Sequence, residues 1–130
     1  MVRPITADDL LAEARRELVR LEPAAAAAAM SAGAVLVDVR SELQRERDGV
    51  VPGSVFLPRN VLEWRCDPRS DWRDFRVSDP KRLLIVMCDE GYQSSLAAAN
   101  LRRLGLDATD LAGGFQAWRS AELPVATPSG

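Results

Sequence analysis

Polar and apolar positions alternate between two periods along this chain. Ala34-Val35-Leu36-Val37, Val55-Phe56-Leu57 and Leu83-Leu84-Ile85-Val86-Met87 are short, continuous apolar runs, as strands buried on both faces of a parallel sheet require. Ala108-Thr109-Asp110-Leu111 reads as a further strand. Between these runs the spacing changes to three and four. Leu11, Ala14, Leu18 and Leu21 form one stripe and predict an amphipathic helix over 7–21. Thr6, with Asp9 three residues on, opens it, and Arg15, Arg16 and Arg20 fall on its solvent side. Pro23 starts a second helix that continues through the alanines of 24–30 and ends at Gly33. The charged stretch 41–48 is helical in propensity. Residues 49–54 form a turn-rich connection, and Pro58-Arg59-Asn60 breaks the strand at 55–57. One helical turn is predicted over 61–64, followed by an irregular segment, 65–80, with no assignable element. Ala97, Leu101 and Leu104 define the face of a helix that ends in Arg102-Arg103 and Gly105. Gly113-Gly114 turns into a last helix over 115–121, and Leu123-Pro124-Val125 closes the fold.

Strands that alternate with helices predict an α/β fold, a parallel sheet covered by helices. In such sheets ligands sit beyond the carboxyl ends of the strands. That rule gathers Asp38 to Arg40, Arg59-Asn60, Cys88 with its loop, and Gly113-Gly114 at one mouth.

Cys88 stands where the most apolar strand stops. Asp89, Glu90, Gly91, Tyr92, Gln93 and Ser94 come next, none of them proline, so each keeps a backbone N–H. A loop curling around the sulfur, backed by a helix that Ser94-Ser95 caps, aims such groups inward and favours thiolate over thiol. The plainer reading of Cys88 is a small apolar residue that ends a strand. Composition sharpens the choice by exclusion. The chain has no histidine, which removes a Cys-His pair, an imidazole base and the usual metal sites, so a reactive Cys88 depends on backbone and helix for activation. No metal and no cofactor are expected.

The remaining bounds are ordinary. At 130 residues the chain is one domain, and 47% hydrophobic with 28% charged residues suits a soluble globular protein. A net charge of -2 gives no reason to expect nucleic acid or an anionic membrane surface. No apolar run approaches the ~20 residues of a membrane span, and the first residues lack an apolar signal core, so a cytoplasmic location is expected. Two cysteines do not make a disulfide framework, and a reducing compartment keeps both as thiols.

Taken in order, Leu36-Val37-Asp38-Val39-Arg40, Val51-Pro52-Gly53-Ser54, Ile85-Val86-Met87-Cys88 with Gly91, and Leu111-Ala112-Gly113-Gly114-Phe115-Gln116-Ala117-Trp118 followed by Leu123-Pro124-Val125 resemble a single rhodanese domain. The resemblance implies a five-stranded parallel sheet with helices on both faces and a six-residue active-site loop starting at Cys88. It implies sulfur transfer through a persulfide on that cysteine. The partners would be a small sulfur donor, thiosulfate or another sulfane sulfur, or a protein persulfide, with a thiol acceptor. On this reading 1–21 is a helical extension packed on the domain, 22–126 is the rhodanese-like domain, and 127–130 is a frayed tail. Asp38, Gly113 and Gly114 are structural supports. Arg40 either pairs with Asp38 or faces the mouth, and Arg59 and Arg65 are candidates to draw in an anionic donor.

The chain departs from the family pattern in two places: Asp89-Glu90 stands after the cysteine where many members carry arginine, and Val50 stands where histidine is common. An acidic pair beside the nucleophile is expected to disfavour thiosulfate. Phosphatases that share the fold need a longer loop with an arginine, and none occurs between Cys88 and Asn100. A rhodanese-like binding or regulatory module with little turnover is the alternative. Cys66 is expected to be a spectator thiol.

Overall fold

The structure, a computed structural model, describes residues 2–128. Four parallel strands, β1 (Val35–Asp38), β2 (Val55–Phe56), β3 (Leu84–Met87) and β4 (Ala108–Asp110), lie in the order β2-β1-β3-β4. The register sets Leu36 beside Ile85, and Ile85 beside Thr109. Strand pleating divides the buried residues between two layers. Val37, Leu84 and Val86 pack with Leu62, Ala97 and Leu101, from α4 (Leu62–Cys66) and α5 (Gln93–Arg103). Leu36, Ile85 and Met87 pack on the other face with Ala26, Phe115 and Trp118, from α2 (Pro23–Ser31) and α6 (Gly114–Ser120). Helices therefore cover both faces of a parallel sheet, as the alternation predicts.

Element starts follow local chemistry. Pro23 occupies the first turn of α2, where its missing N–H costs nothing. Ser41 caps α3 (Glu42–Asp48) reciprocally with Gln44, and Thr6 caps α1 (Ala7–Arg15) reciprocally with Asp9. The turn expected over 61–64 is a 3-10 turn, Arg59–Val61, running into α4. Within 65–80, turns bring Val77 into the core, where it is fully buried. Of the expected tail, Ser129 and Gly130 lie outside the described residues.

Two expectations are corrected. Among the described residues the sheet has four strands rather than five. The helix expected over 7–21 stops at Arg15, and the chain then runs extended along the open edge of β4. There Leu21 bridges to Leu111, donating to Asp110 and accepting from Ala112, while the Thr109 hydroxyl donates to the Val19 carbonyl at 2.8 Å. Unpaired groups on a sheet edge need partners, and supplying them outweighs the helix propensity of this segment. Beyond α6 the chain runs through Leu123-Pro124-Val125. Next to it an antiparallel bridge joins Ala126 to Val50, and the Trp118 indole N–H holds the Pro124 carbonyl at 2.8 Å.

The end of β1 is tied by a buried ion cluster. Asp38 is fully buried and accepts from the backbone N–H, Nε and Nη2 of Arg40 and from Nε of Arg45, over 2.9–3.3 Å. Arg40, also buried, stacks 3.9 Å from the Phe115 ring centroid and donates to the Gly49 carbonyl at 2.8 Å. Removing one partner of such a pair strands the other charge in the core. Asp38→Asn is therefore expected to destabilise the fold by about 3 kcal/mol, read as a lower urea midpoint at an unchanged slope. A midpoint equal to wild type would show that the cluster contributes nothing to stability.

Candidate active site

Cys88 stands directly after the last residue of β3, and it is 3% exposed. The loop beyond it folds back so that the Gly91 N–H donates to Cys88 Sγ at 3.2 Å. Gly91 has φ +90, a conformation most side chains avoid, and an added Cβ would lie 2.8 Å from the Gly113 nitrogen. Helix α5 begins two residues later, so its first-turn N–H groups have no intrahelical acceptor. No acceptor among the described residues engages the N–H of Tyr92, Gln93 or Ser94. Beside the sulfur, then, stand one N–H already bonded to it and the open end of an eleven-residue helix. Such an arrangement stabilises negative charge on sulfur or on a group attached to it.

The serines do not cap this helix. The hydroxyls of Ser94 and Ser95 both donate to Asp110 Oδ2, at 2.7 and 2.8 Å, and all three residues are buried. Arg20 completes the site of Asp110 with two bonds, Nε to Oδ1 at 2.9 Å and Nη2 to Oδ2 at 3.2 Å. Arg15 and Arg20, expected on the solvent side of a helix, turn inward instead. Each donates from Nη2 to the Gly91 carbonyl, at 2.8 and 2.9 Å. Arg15 also reaches Ser95 Oγ from Nε at 3.0 Å. The clue in the sequence is Asp110 itself. A carboxylate in a buried strand requires a cation or several donors, but nothing local says which arginine supplies them.

On the opposite side the loop meets α6. The N–H of Phe115 donates to the Cys88 carbonyl at 2.9 Å, and that of Gln116 to the Asp89 carbonyl at 3.1 Å. The Gln116 side-chain amide holds Asp89 Oδ1 at 2.9 Å, so the first acidic residue of the loop is drawn toward α6 while Glu90 stays exposed. Backbones approach so closely here that only glycine fits at 114. Its φ is +63, and a Cβ would fall 2.5 Å from the Cys88 carbonyl oxygen and 2.6 Å from that of Asp89.

Beyond the ends of β1 and β2 lies a cleft of about 490 Å³ whose walls include Arg40, Arg59, Asn60 and Gln93. Gln93 is where the cleft meets the Cys88 loop. The arginine candidates separate. Arg40 is committed to Asp38, Arg59 pairs with Glu63 at 2.9 Å on the cleft wall, and Arg65 points away to the Trp72 carbonyl and Asp74. Cys66 is fully buried in the layer that also receives Cys88, and both are free thiols. Burial, reinforced by Asp74 and Glu63, pushes the Cys66 thiol up to about 12, so at neutral pH it is neither nucleophile nor resolving thiolate. Among the described residues no group of three or more Cys, Asp or Glu is arranged to hold a metal ion, and no helix is long and apolar enough to cross a membrane.

Comparison with known proteins gives a consistent result. The rhodanese-like domain family matches residues 22–121. The thiosulfate sulfurtransferase GlpE of Pseudomonas syringae is 36% identical over 106 residues, covering 80% of this chain and 90% of that protein. The protein of the same name from Pseudomonas fluorescens is 35% identical over 115 residues, covering 88% and 95%. Among solved structures, the Rhodopseudomonas palustris protein RPA3614, described as of unknown function and a possible tyrosine phosphatase, superposes with a TM-score of 0.85 at 34% identity, covering 96% of this chain and 98% of that one. A rhodanese-related protein from Thermoplasma volcanium shares the fold, with a TM-score of 0.66 at 24% identity and coverage of 82% and 95%. With its parallel sheet, its strand-end cysteine and a match spanning most of its length, the chain belongs to the rhodanese-like domain family.

Proposed function

We propose that this protein is a sulfurtransferase that carries sulfane sulfur as a persulfide on Cys88. The observation that carries the reading is the Gly91 N–H on Cys88 Sγ, with the open N-terminus of α5 beside it. The Cys88 thiolate attacks the outer sulfur of a donor. An S–S bond forms at Cys88 as the donor's bond to that sulfur breaks, and the remainder leaves with the electron pair, as sulfite when the donor is thiosulfate. An acceptor thiolate then attacks the outer sulfur, and the Cys88 thiolate is the leaving group. Sulfur passes on without net oxidation, so neither metal nor cofactor is required. The loop amides Asp89 to Ser94 serve the sulfur, Asp38, Gly113 and Gly114 hold the frame, and Arg59 on the cleft wall is the arginine best placed to meet an arriving anion. The relatives named thiosulfate sulfurtransferase support thiosulfate, or a related sulfane sulfur, as donor. The expected setting is the cytoplasm, where thiol acceptors stay reduced.

The phosphatase suggestion attached to the Rhodopseudomonas palustris protein is weaker for this chain. A phosphate in the loop needs a guanidinium facing it. Arg15 and Arg20 instead hold the Gly91 carbonyl, and the loop itself adds two carboxylates and no cation. A binding module without turnover has no need for an N–H aimed at a thiol.

Incubation with a sulfane-sulfur donor is expected to raise the intact mass by one sulfur atom, reversed by reductant. Cys88→Ser should abolish both the adduct and turnover while leaving the circular-dichroism spectrum unchanged. Turnover in that variant equal to wild type would end this reading. Iodoacetamide at pH 8 is expected to label Cys88 and spare Cys66 until the protein is unfolded, because Cys66 remains protonated and enclosed. Rapid native labelling of Cys66 would contradict its assignment as a spectator.

Donor choice is testable through the acidic pair. A carboxylate about 8 Å from a dianion costs about 1 kcal/mol at water's dielectric, a factor of about five in KM. Salt screens that repulsion. The wild-type KM for thiosulfate is therefore expected to fall as ionic strength rises. Asp89→Asn with Glu90→Gln should lower it by about five-fold for each carboxylate removed, about thirty-fold together, at low salt and remove the salt dependence. Kinetics indifferent to both changes would show that the acidic pair does not select the donor.

A further inference from the structure

The Gly91 carbonyl is bound by two cations. Arg15 and Arg20 come from the segment that precedes the family-matched residues 22–121, and each places Nη2 within 3 Å of the same oxygen. Neither guanidinium is free to drift. Arg20 is held at its other edge by buried Asp110, and Arg15 by Ser95, itself bonded to Asp110. Arg15 also lies 6.0 Å from the Tyr92 ring centroid. The oxygen they hold belongs to the peptide that joins Gly91 to Tyr92. In a trans peptide the C=O and the N–H point in opposite directions, and the described residues contain no cis bond. Pinning the oxygen therefore also fixes the direction of the Tyr92 N–H, opposite to the two arginines. That group has no acceptor among the described residues, and it comes directly after the residue whose N–H already touches Sγ. Two charge-assisted bonds to one carbonyl also polarise the peptide, strengthening its N–H as a donor. The loop itself offers no cation, only Asp89 and Glu90.

We propose that Arg15 and Arg20 are positioning residues for the Cys88 loop: by clamping the Gly91 carbonyl they turn the Tyr92 N–H toward the sulfur and supply the positive charge the loop sequence lacks. This rests on the persulfide reading for its consequence in turnover, and not for its effect on Cys88 reactivity. The clamp touches neither donor nor acceptor, so it acts on the rate of transfer more than on substrate affinity.

The test compares Arg15→Gln with Arg16→Gln, the same charge change one residue along, at an exposed position. Two quantities are read for each: kcat and KM for thiosulfate, and the rate at which iodoacetamide alkylates Cys88 in sulfur-free protein at pH 7. Arg15→Gln is expected to lower both kcat and the alkylation rate about five-fold, the factor for one net hydrogen bond of about 1 kcal/mol, with KM little changed. Arg16→Gln should match wild type, and Arg15→Lys, which keeps the charge and one donor, should recover part of the loss. If Arg15→Gln does not fold, Arg15→Lys and Arg20→Lys, which keep the positive charge, are read instead, and both should fall below wild type in alkylation rate. Wild-type rates in the Arg15 variants, or an equal loss in Arg16→Gln, would overturn the clamp. A protein with no sulfur transfer at all would refute the proposed function, while the alkylation contrast would still decide the clamp.

Discussion

Asp110 is the constraint on which the working end of this molecule depends. A carboxylate buried at the end of β4 must be surrounded by donors, because an unpaired charge in the core is far costlier than the bonds that satisfy it. Its donors come from two directions: Ser94 and Ser95 on the first turn of α5, and Arg20 on the strand-like segment along the sheet edge. Satisfying one buried charge therefore fixes the helix start behind Cys88 and brings in the arginine that holds the loop's outer carbonyl. The serine hydroxyls are thereby committed to Asp110 rather than to the helix backbone, and the helix start has no side-chain cap.

The arrangement repeats on the other flank. β1 and β4 both neighbour β3, and each ends in a fully buried aspartate that collects arginine. Asp38 takes Arg40 and Arg45, and Arg40 in turn lies on the Phe115 ring of α6. Cys88, at the end of the strand between them, sits in a frame held from both sides. The frame is closed by contact between backbones: Gly114 brings α6 so near that its N–H groups reach the carbonyls of Cys88 and Asp89. With the carbonyls of Cys88, Asp89 and Gly91 held from outside, the loop keeps the fold in which the Gly91 N–H meets Sγ.

That organisation also sets the acidic residues of the loop around the Cys88 sulfur. Asp89 is drawn aside by Gln116, Glu90 faces solvent, and the cations stand on the outer face at Gly91. Solvent around Glu90 and the bond from Gln116 to Asp89 reduce the carboxylates' effect on the thiol.

The sequence by itself determined the order of strands and helices, the two-faced burial of the sheet and the position of Cys88 at a strand end before a helix. These are local properties: residue periodicity reports which face is buried, and adjacency along the chain sets the loop and helix directly after the cysteine. Asp38 and Arg40, two residues apart, were legible for the same reason, although the sequence left open whether they pair. Tertiary structure decided what the long polar side chains do. Arg20 meets Gly91 across 71 positions and Asp110 across 90, and no period in the sequence encodes a contact at that separation. Helical spacing placed Arg15 and Arg20 on a solvent face, but the helix ends at Arg15 because the edge of β4 needs backbone partners from 19–21. Ending the helix there turns Arg20 onto Asp110, and with Arg15 it reaches the loop. A requirement of the sheet edge, felt only once the sheet exists, decided which residues face the sulfur-bearing loop.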